Sequence, residues 1–254
     1  MVQYNMKRLE NKVAVVTGAS KGIGAGIAEK LAAEGAAVVV NYASSKEDAE
    51  KVVAKIISNG GKAIAVKGDV SKAADVDHLF AEALGQYGAV DILVNNAGVY
   101  QWGALADFTE ESYHFQFNIN VLGVLLASKA AVKSFSEKGG SIINIGSAVS
   151  SATPAGSAIY TATKSAVDSI TRVLSKELGP KNIRVNSVNP GMVVTEGATS
   201  AGFIGSEIET AMVSNTPLRR VGQPEDIALA TAFLASDDAR WVTGEVILAS
   251  GGLR

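Results

Sequence analysis

Three side chains in this 254-residue sequence have the chemistry and spacing to move a proton: Ser147, Tyr160 and Lys164. Ser147 follows the apolar run Ile142–Ile145 and a glycine, Gly146, so its hydroxyl belongs at the end of a buried strand. Tyr160 comes thirteen residues later, and Lys164 four residues after that. Residues four apart share one helix face, and a helical pattern begins at Ser157. A free phenol ionises near pH 10, too high for easy proton exchange at neutrality. An ammonium within about 4–6 Å favours phenolate and should draw that value towards working pH. The serine hydroxyl would then orient a substrate oxygen.

Seven short β-branched runs alternate with amphipathic segments and form the frame for these groups. The runs are Val13–Thr17, Ala37–Asn41, Ala63–Lys67, Asp91–Val94, Ser141–Ile145, Ile183–Val188 and Glu245–Leu248. Helical patterns cover Ile23–Glu34, Lys46–Ser58, Ala74–Tyr87, Glu110–Ser134, Ser157–Leu178 and Pro224–Ala235. Continuous apolar strands separated by helices predict an α/β fold, a doubly wound parallel sheet covered on both faces in three layers. In such a sheet the ligand crevice opens at the carboxyl ends of the strands, where Ser147 stands. One domain is expected over residues 9–254, with a flexible tail at 1–8 and a substrate loop at about 193–214.

The first strand runs directly into Thr17-Gly18-Ala19-Ser20-Lys21-Gly22-Ile23-Gly24 and then a helix. Glycines permit a tight turn, and a helix N-terminus offers free N–H groups to a pyrophosphate. Near the end of the second strand an acidic residue would hold the ribose 2′-hydroxyl of NAD. Here the chain has Asn41, Tyr42, Ser44 and Ser45, with Lys46 beyond and Lys21 in the turn. Hydroxyl donors and lysine suit a 2′-phosphate, so NADP(H) is favoured, with NAD(H) the alternative.

Composition narrows the field. Hydrophobic residues make up 47% of the chain, net charge is −2, and cysteine is absent. A large core is expected, while nucleic acid and thiol chemistry are not. The two histidines, His78 and His114, lack metal-ligand spacing. Lys7 and Arg8 are followed by Glu10, Asn11 and Lys12 before any apolar run, unlike a signal peptide. The apolar window Val121–Val132 is too short for a bilayer. A soluble cytoplasmic location, with no membrane partner, is the expectation.

Taken in order, Thr17-Gly18-x-x-x-Gly22-x-Gly24, Asn95-Asn96-Ala97-Gly98, Ser147, Tyr160-x-x-x-Lys164 and Pro190-Gly191 resemble the short-chain dehydrogenase/reductase family over Arg8 to Gly252. The resemblance implies a single Rossmann-type domain, a nicotinamide cofactor and a homotetramer. It implies that Tyr160 protonates a carbonyl oxygen held by Ser147 while hydride reaches the carbon. Lys164 would bind the nicotinamide ribose and lower the phenol pKa. An asparagine completes the set by holding a water relay; Asn118 and Asn120 compete, and the pattern Asn120-Val-Leu-Gly-Val favours Asn120. Asp69 and Val70 resemble adenine contacts, and Asn96, Ala97 and Gly98 pass the adenosine ribose. Pro190, Gly191 and Val193 lead to Thr195, which resembles the donor to the nicotinamide carboxamide. Where the family often has Asp-Gly-Gly near its C-terminus, this chain has Ser250 before Gly251 and Gly252.

Ala148–Ile159, Val99–Trp102 and the stretch after Met192 should border a roomy, mostly uncharged cleft, with Tyr100, Trp102, Met192 and Phe203 as apolar walls. Such a cleft suits medium-sized ketones better than highly charged compounds, and a small-molecule carbonyl compound is the expected substrate. The sequence also resembles 3-oxoacyl-carrier-protein reductases, with Lys138 and Lys181 placed to dock an acyl carrier protein, and glucose 1-dehydrogenases through Val40-Asn41-Tyr42. A non-catalytic dinucleotide sensor is the reading from a different class, and the complete Ser/Tyr/Lys set speaks against it.

Overall fold

The computed structural model describes residues 7–253. Seven parallel strands form one sheet in the order β3-β2-β1-β4-β5-β6-β7. The strands are β1 Val13–Val16, β2 Ala37–Tyr42, β3 Lys62–Lys67, β4 Ile92–Asn95, β5 Gly140–Ile145, β6 Ile183–Pro190 and β7 Val246–Ala249. The long helices are α1 Gly22–Ala33, α2 Lys46–Ser58, α3 Ala73–Tyr87, α4 Glu110–Phe117, α5 Gly123–Ser134, α7 Ala158–Leu178 and α10 Pro224–Ala235; shorter ones are α6 Val149–Ala152, α8 Glu196–Ser200 and α9 Glu207–Asn215. The chain is thus a single-domain Rossmann-like α/β fold, as the alternating pattern predicts.

Both faces of the sheet are buried because successive strand residues point to opposite sides. Ala14, Val16, Val38, Val40, Ile143 and Ile145 join the core under α1, α2 and α10. Val15, Val39, Leu93, Ile142 and Val185 join the core under α3, α5 and α7. Strand order reverses between β1 and β4, so the turns leaving these two strands part and open a crevice at their carboxyl ends.

Local findings refine the sequence reading. The expected tail lies outside the described residues for 1–6, but Lys7 and Arg8 are described, and Leu9 is fully buried. Arg8 donates to Glu34 through Nε at 3.0 Å and Nη2 at 2.8 Å, so residue 8 is tied to the end of α1. The stretch Glu110–Ser134 is helical throughout, with a π-turn at Asn118–Leu122 where one extra residue widens the coil. It is longer than the apolar window read from sequence, and by length and composition it could cross a membrane. Its Val124, Ala127, Ala130 and Ala131 are buried in the fold. The stretch at about 193–214, expected as a loop, contains the short helices α8 and α9.

Candidate active site

The glycine turn is built by clamps from three strands. Gly18 and Gly22 have φ of +60° and +58°, values that L side chains resist. Asn96, leaving β4, donates through Nδ2 to the carbonyls of Thr17 and Gly18 at 2.9 Å each. Thr17 Oγ1 accepts the Asn96 and Ala97 amides, both at 3.0 Å. From β2, Asn41 Oδ1 accepts the Gly18 amide at 3.1 Å, while its Nδ2 donates to the Val66 and Gly68 carbonyls. Asn41 is therefore buried beneath the turn with both ends of its amide engaged, so it supports the turn and also lines the groove.

Above this turn lies a groove of about 400 Å³ lined by Gly18, Ser20, Lys21, Gly22, Ile23, Gly24, Asn41, Tyr42, Ser44, Ser45, Asp69, Val70, Asn96, Ala97, Gly98 and Thr195. Tyr42 is nearly buried. Asp69 accepts from Ser71 N at 3.0 Å and Ser71 Oγ at 2.7 Å, which commits one carboxylate oxygen to the start of α3. No side chain caps α1 and its first turn holds no acid, although Glu196 Oε2 would stand 3.6 Å from a Cβ on Gly22 at the helix start. Glu196, which sequence reading did not single out, also lines the groove.

A second cavity of about 240 Å³ continues from the first, sharing Ile23, Asn96, Gly98, Val99 and Thr195. Ser147, Tyr160, Lys164, Pro190, Gly191 and Val193 line it. The three candidate catalytic groups thus meet in one chamber. Lys164 is buried one helical turn beyond Tyr160, its Nζ donating to the Ile145 carbonyl at 2.9 Å and lying 5.8 Å from the phenol ring centre.

Burial sets the acidities differently from the sequence expectation. Loss of solvent pushes the Tyr160 phenol up to about 12, with Ser147 hydrogen bonding pulling down and Tyr100 adding upward pressure. Burial pushes the Lys164 ammonium down to about 8, opposed by the charge of Asp168. Desolvation is the largest influence on both groups, whereas the sequence argument relied on attraction between them. At neutral pH the phenol is a protonated donor and the lysine is still charged.

Asn120 and Asn118 separate cleanly. Asn118 is exposed, whereas Asn120 is buried at the π-turn. Its Nδ2 donates to Val99 O at 2.8 Å and Thr163 Oγ1 at 3.0 Å, and its Oδ1 accepts the Val99 amide at 2.8 Å. A Cβ placed on Gly98 would stand 3.4 Å from Asn120 Oδ1 and 3.6 Å from Lys164 Nζ, so the backbone of this segment runs against both side chains. Thr163 receives this bond three residues after Tyr160, a partner visible in the sequence but not read from it. Behind Ser147 lies a further network: Asn189 Nδ2 donates to Asp168 Oδ1 at 3.0 Å and to the Ser147 carbonyl at 3.2 Å. Nothing in the local sequence marked Asp168 or Asn189.

Thr195 caps α8, its hydroxyl accepting the Ala198 amide at 3.0 Å, with its own proton left to give to the cavities it lines. Ser250, at the family's frequent aspartate position, donates to the Leu253 carbonyl at 2.7 Å. Among the described residues no cluster of His, Asp and Glu could hold a metal.

Comparison with known proteins agrees with this geometry. Residues 18–254 match the family model described as enoyl-(acyl carrier protein) reductase. An uncharacterized oxidoreductase of Methylorubrum extorquens is 60% identical over 249 residues, covering 98% of this chain and all of the relative. A 3-oxoacyl-[acyl-carrier-protein] reductase of Staphylococcus epidermidis is 39% identical, covering 96% of this chain and 99% of the relative. A short-chain dehydrogenase of Burkholderia cenocepacia, solved in complex with NADP, superposes with a TM-score of 0.91 at 37% identity, covering 97% of this chain and 99% of that one. With its motifs gathered along one crevice and relatives matching nearly its full length, the chain belongs to the short-chain dehydrogenase/reductase family of NAD(P)-dependent oxidoreductases.

Proposed function

We propose that this protein reduces ketone carbonyls to secondary alcohols with NADP(H), Tyr160 serving as general acid and base. The continuity of the glycine-turn groove with the Ser147/Tyr160/Lys164 chamber carries this reading. The groove fits a dinucleotide. The uncapped N-terminus of α1 suits a pyrophosphate. Lys21, Ser44 and Ser45 supply charge and donors for a 2′-phosphate, and the NADP complex of the Burkholderia relative supports that preference. Asp69 and Val70 would border adenine, Asn96 to Gly98 the adenosine ribose, Lys164 the nicotinamide ribose and Thr195 the carboxamide. When bound, the reduced nicotinamide supplies the hydride that the carbonyl carbon accepts.

The protein's own part is to place the carbonyl and move a proton. Ser147 donates a hydrogen bond to the substrate oxygen and holds it towards Tyr160. The phenol, protonated at neutral pH, gives its proton to that oxygen as negative charge develops there. Lys164, 5.8 Å from the ring centre, stabilises the phenolate left behind. Asn120 fixes Val99 against Thr163 through its amide, whose Oδ1 keeps a second lone pair, and holds the water that relays the replacement proton. The test is Tyr160→Phe. We expect NADPH affinity within about threefold of wild type and turnover reduced by about 10²–10⁴-fold. Near-normal turnover would overturn the assignment.

Reduction of a 3-oxoacyl group on a carrier protein is the second reading, favoured by the Staphylococcus relative. Lys138 and Lys181 lie near each other, with Asn182 Nδ2 donating to the Lys138 carbonyl at 2.7 Å. They stand at the amino end of β5, and Ser147 lies beyond its carboxyl end, about 20 Å along the strand. A carrier docked there must reach its own subunit's site around the sheet, or serve a neighbouring copy. The family resemblance favours a homotetramer, and the exposed apolar residues Leu122, Leu125 and Val173 on this helical layer support such an assembly. Oxidation of glucose, the third reading, draws on the likeness of Val40-Asn41-Tyr42 to glucose 1-dehydrogenases, and assaying glucose with NADP in the reverse direction tests it.

A further inference from the structure

We infer that the preferred substrates are ketones that carry a planar aromatic ring, single or fused, gripped by a ladder of Tyr100, Trp102 and Phe203 that begins at the catalytic phenol. The inference rests on the ketone-reductase reading above and adds to it the chemical class of the substrate.

The ladder is assembled from three distant segments. Tyr100 and Trp102 come from the loop after β4, Phe203 from the loop between α8 and α9, and Tyr160 from α7. Ring centres step from Tyr160 to Tyr100 at 5.9 Å, from Tyr100 to Phe203 at 6.4 Å, and from Phe203 to Trp102 at 6.3 Å. Each spacing lies in the range where aromatic rings attract through their quadrupoles, and none of the pairs is a face-to-face stack that would close the surface. Tyr100 spans from the catalytic ring to α8, where a Cβ on Gly197 would meet its hydroxyl oxygen at 3.5 Å. Trp102 is fixed beside Gly156 through the Gly103 amide, which donates to the Gly156 carbonyl at 2.9 Å.

These rings are not used up by packing. Tyr100 is 38% exposed and Trp102 44% exposed, unusual for large aromatics around a chamber. Among the described residues lining the chamber Lys164 alone is charged, and it is buried behind Tyr160. A carboxylate or phosphate near the reacting carbonyl would find no further cation, whereas a flat ring would find π faces on its route to Ser147. The chamber of about 240 Å³ must also take the nicotinamide end of the cofactor, so the substrate's ring lies along its aromatic wall of Tyr100, Trp102 and Phe203. Trp102 also borders an adjoining cavity of about 400 Å³ with Leu105, Phe108 and Ile159, so a larger fused system can extend past it.

The experiment compares 2-tetralone with trans-2-decalone, the same fused skeleton with and without an aromatic ring, by NADPH oxidation at saturating cofactor. Wild type should prefer 2-tetralone in kcat/KM by at least about tenfold, as expected from contact with two rings. Phe203→Leu and Tyr100→Leu should bring that ratio down towards unity, while Phe203→Tyr, which restores a ring, should keep it. Circular dichroism and thermal unfolding confirm that each variant folds. Equal kcat/KM for the two ketones in wild type, or a preference that survives both leucine substitutions, overturns the inference. Ethyl acetoacetate is the control for the underlying activity. Its reduction alongside indifference to the aromatic ring sinks the aryl preference alone. No turnover of any of the three ketones rejects the reductase reading and the inference with it.

Discussion

Replacing Lys164 with methionine should change how stability depends on pH in a direction set by burial. The unfolded chain releases the Lys164 proton near 10.5, and the folded protein near 8, because the ammonium is desolvated between α7 and the end of β5. At about 1.4 kcal/mol per pH unit, holding that charge inside costs the folded state about 3 kcal/mol at neutral pH. Between pH 8 and 10.5 the unfolded chain binds more protons than the folded one, so this contribution to stability rises with pH through that window and is absent above it. Methionine keeps most of the apolar stem and removes the charge. It also removes the hydrogen bond to the Ile145 carbonyl, at about 1–3 kcal/mol, but that loss does not follow pH. Tyr160, raised to about 12 when folded, makes stability fall with pH above 10 in both proteins and cancels from their difference. Urea unfolding of wild type and Lys164→Met at pH 7, 8.5 and 10 should show wild type gaining about 2–3 kcal/mol relative to the variant from the lowest to the highest pH. A difference that stays constant, or moves the other way, would refute the claim that the lysine is buried and charged at neutrality.

If Lys21, Ser44 and Ser45 grip a 2′-phosphate, kcat/KM should be higher with NADPH than with NADH, and a Lys21→Ala, Ser44→Ala double variant should lose about tenfold or more with NADPH while changing little with NADH; the reverse ranking in steady-state assays rejects the assignment. Glu34 is held down to about 2 by Arg8 and, more weakly, Lys30, so its stabilisation is complete above pH 4.5 and is lost as pH falls towards 2. Discounted for partial solvent access, Glu34→Gln should cost about 1 kcal/mol at pH 7 and nothing near pH 2, read from urea midpoints. For carrier docking, Lys138→Glu combined with Lys181→Glu should raise KM for an acyl-carrier substrate several-fold and spare a small ketone; equal effects on both count against docking.

How much was legible beforehand varies from residue to residue. The alternation of β-branched runs with 3.6-residue periodicity was enough for the parallel sheet, because each element's pattern lies within its own short window. Ser147, Tyr160 and Lys164 were legible for a similar reason. One helix face carries two of them, and a strand end carries the third. The supporting bonds of Asn41, which also lines the groove, were not legible because they depend on Gly18, 23 residues away, and on carbonyls at and beyond β3 that only sheet pairing brings near.

From the sequence alone came the layered fold, the glycine turn at a helix start and the one-turn spacing of phenol and ammonium, all properties of neighbours along the chain. Tertiary structure decided which asparagine enters the site, since the π-turn rotates Asn120 inwards and leaves Asn118 outside. It also decided the acidities, raising the phenol and lowering the ammonium, because desolvation is imposed by whatever packs around a group. And it set Phe203 6.4 Å from Tyr100 between ring centres, a contact between the segments after β4 and β6 whose distance no local pattern encodes.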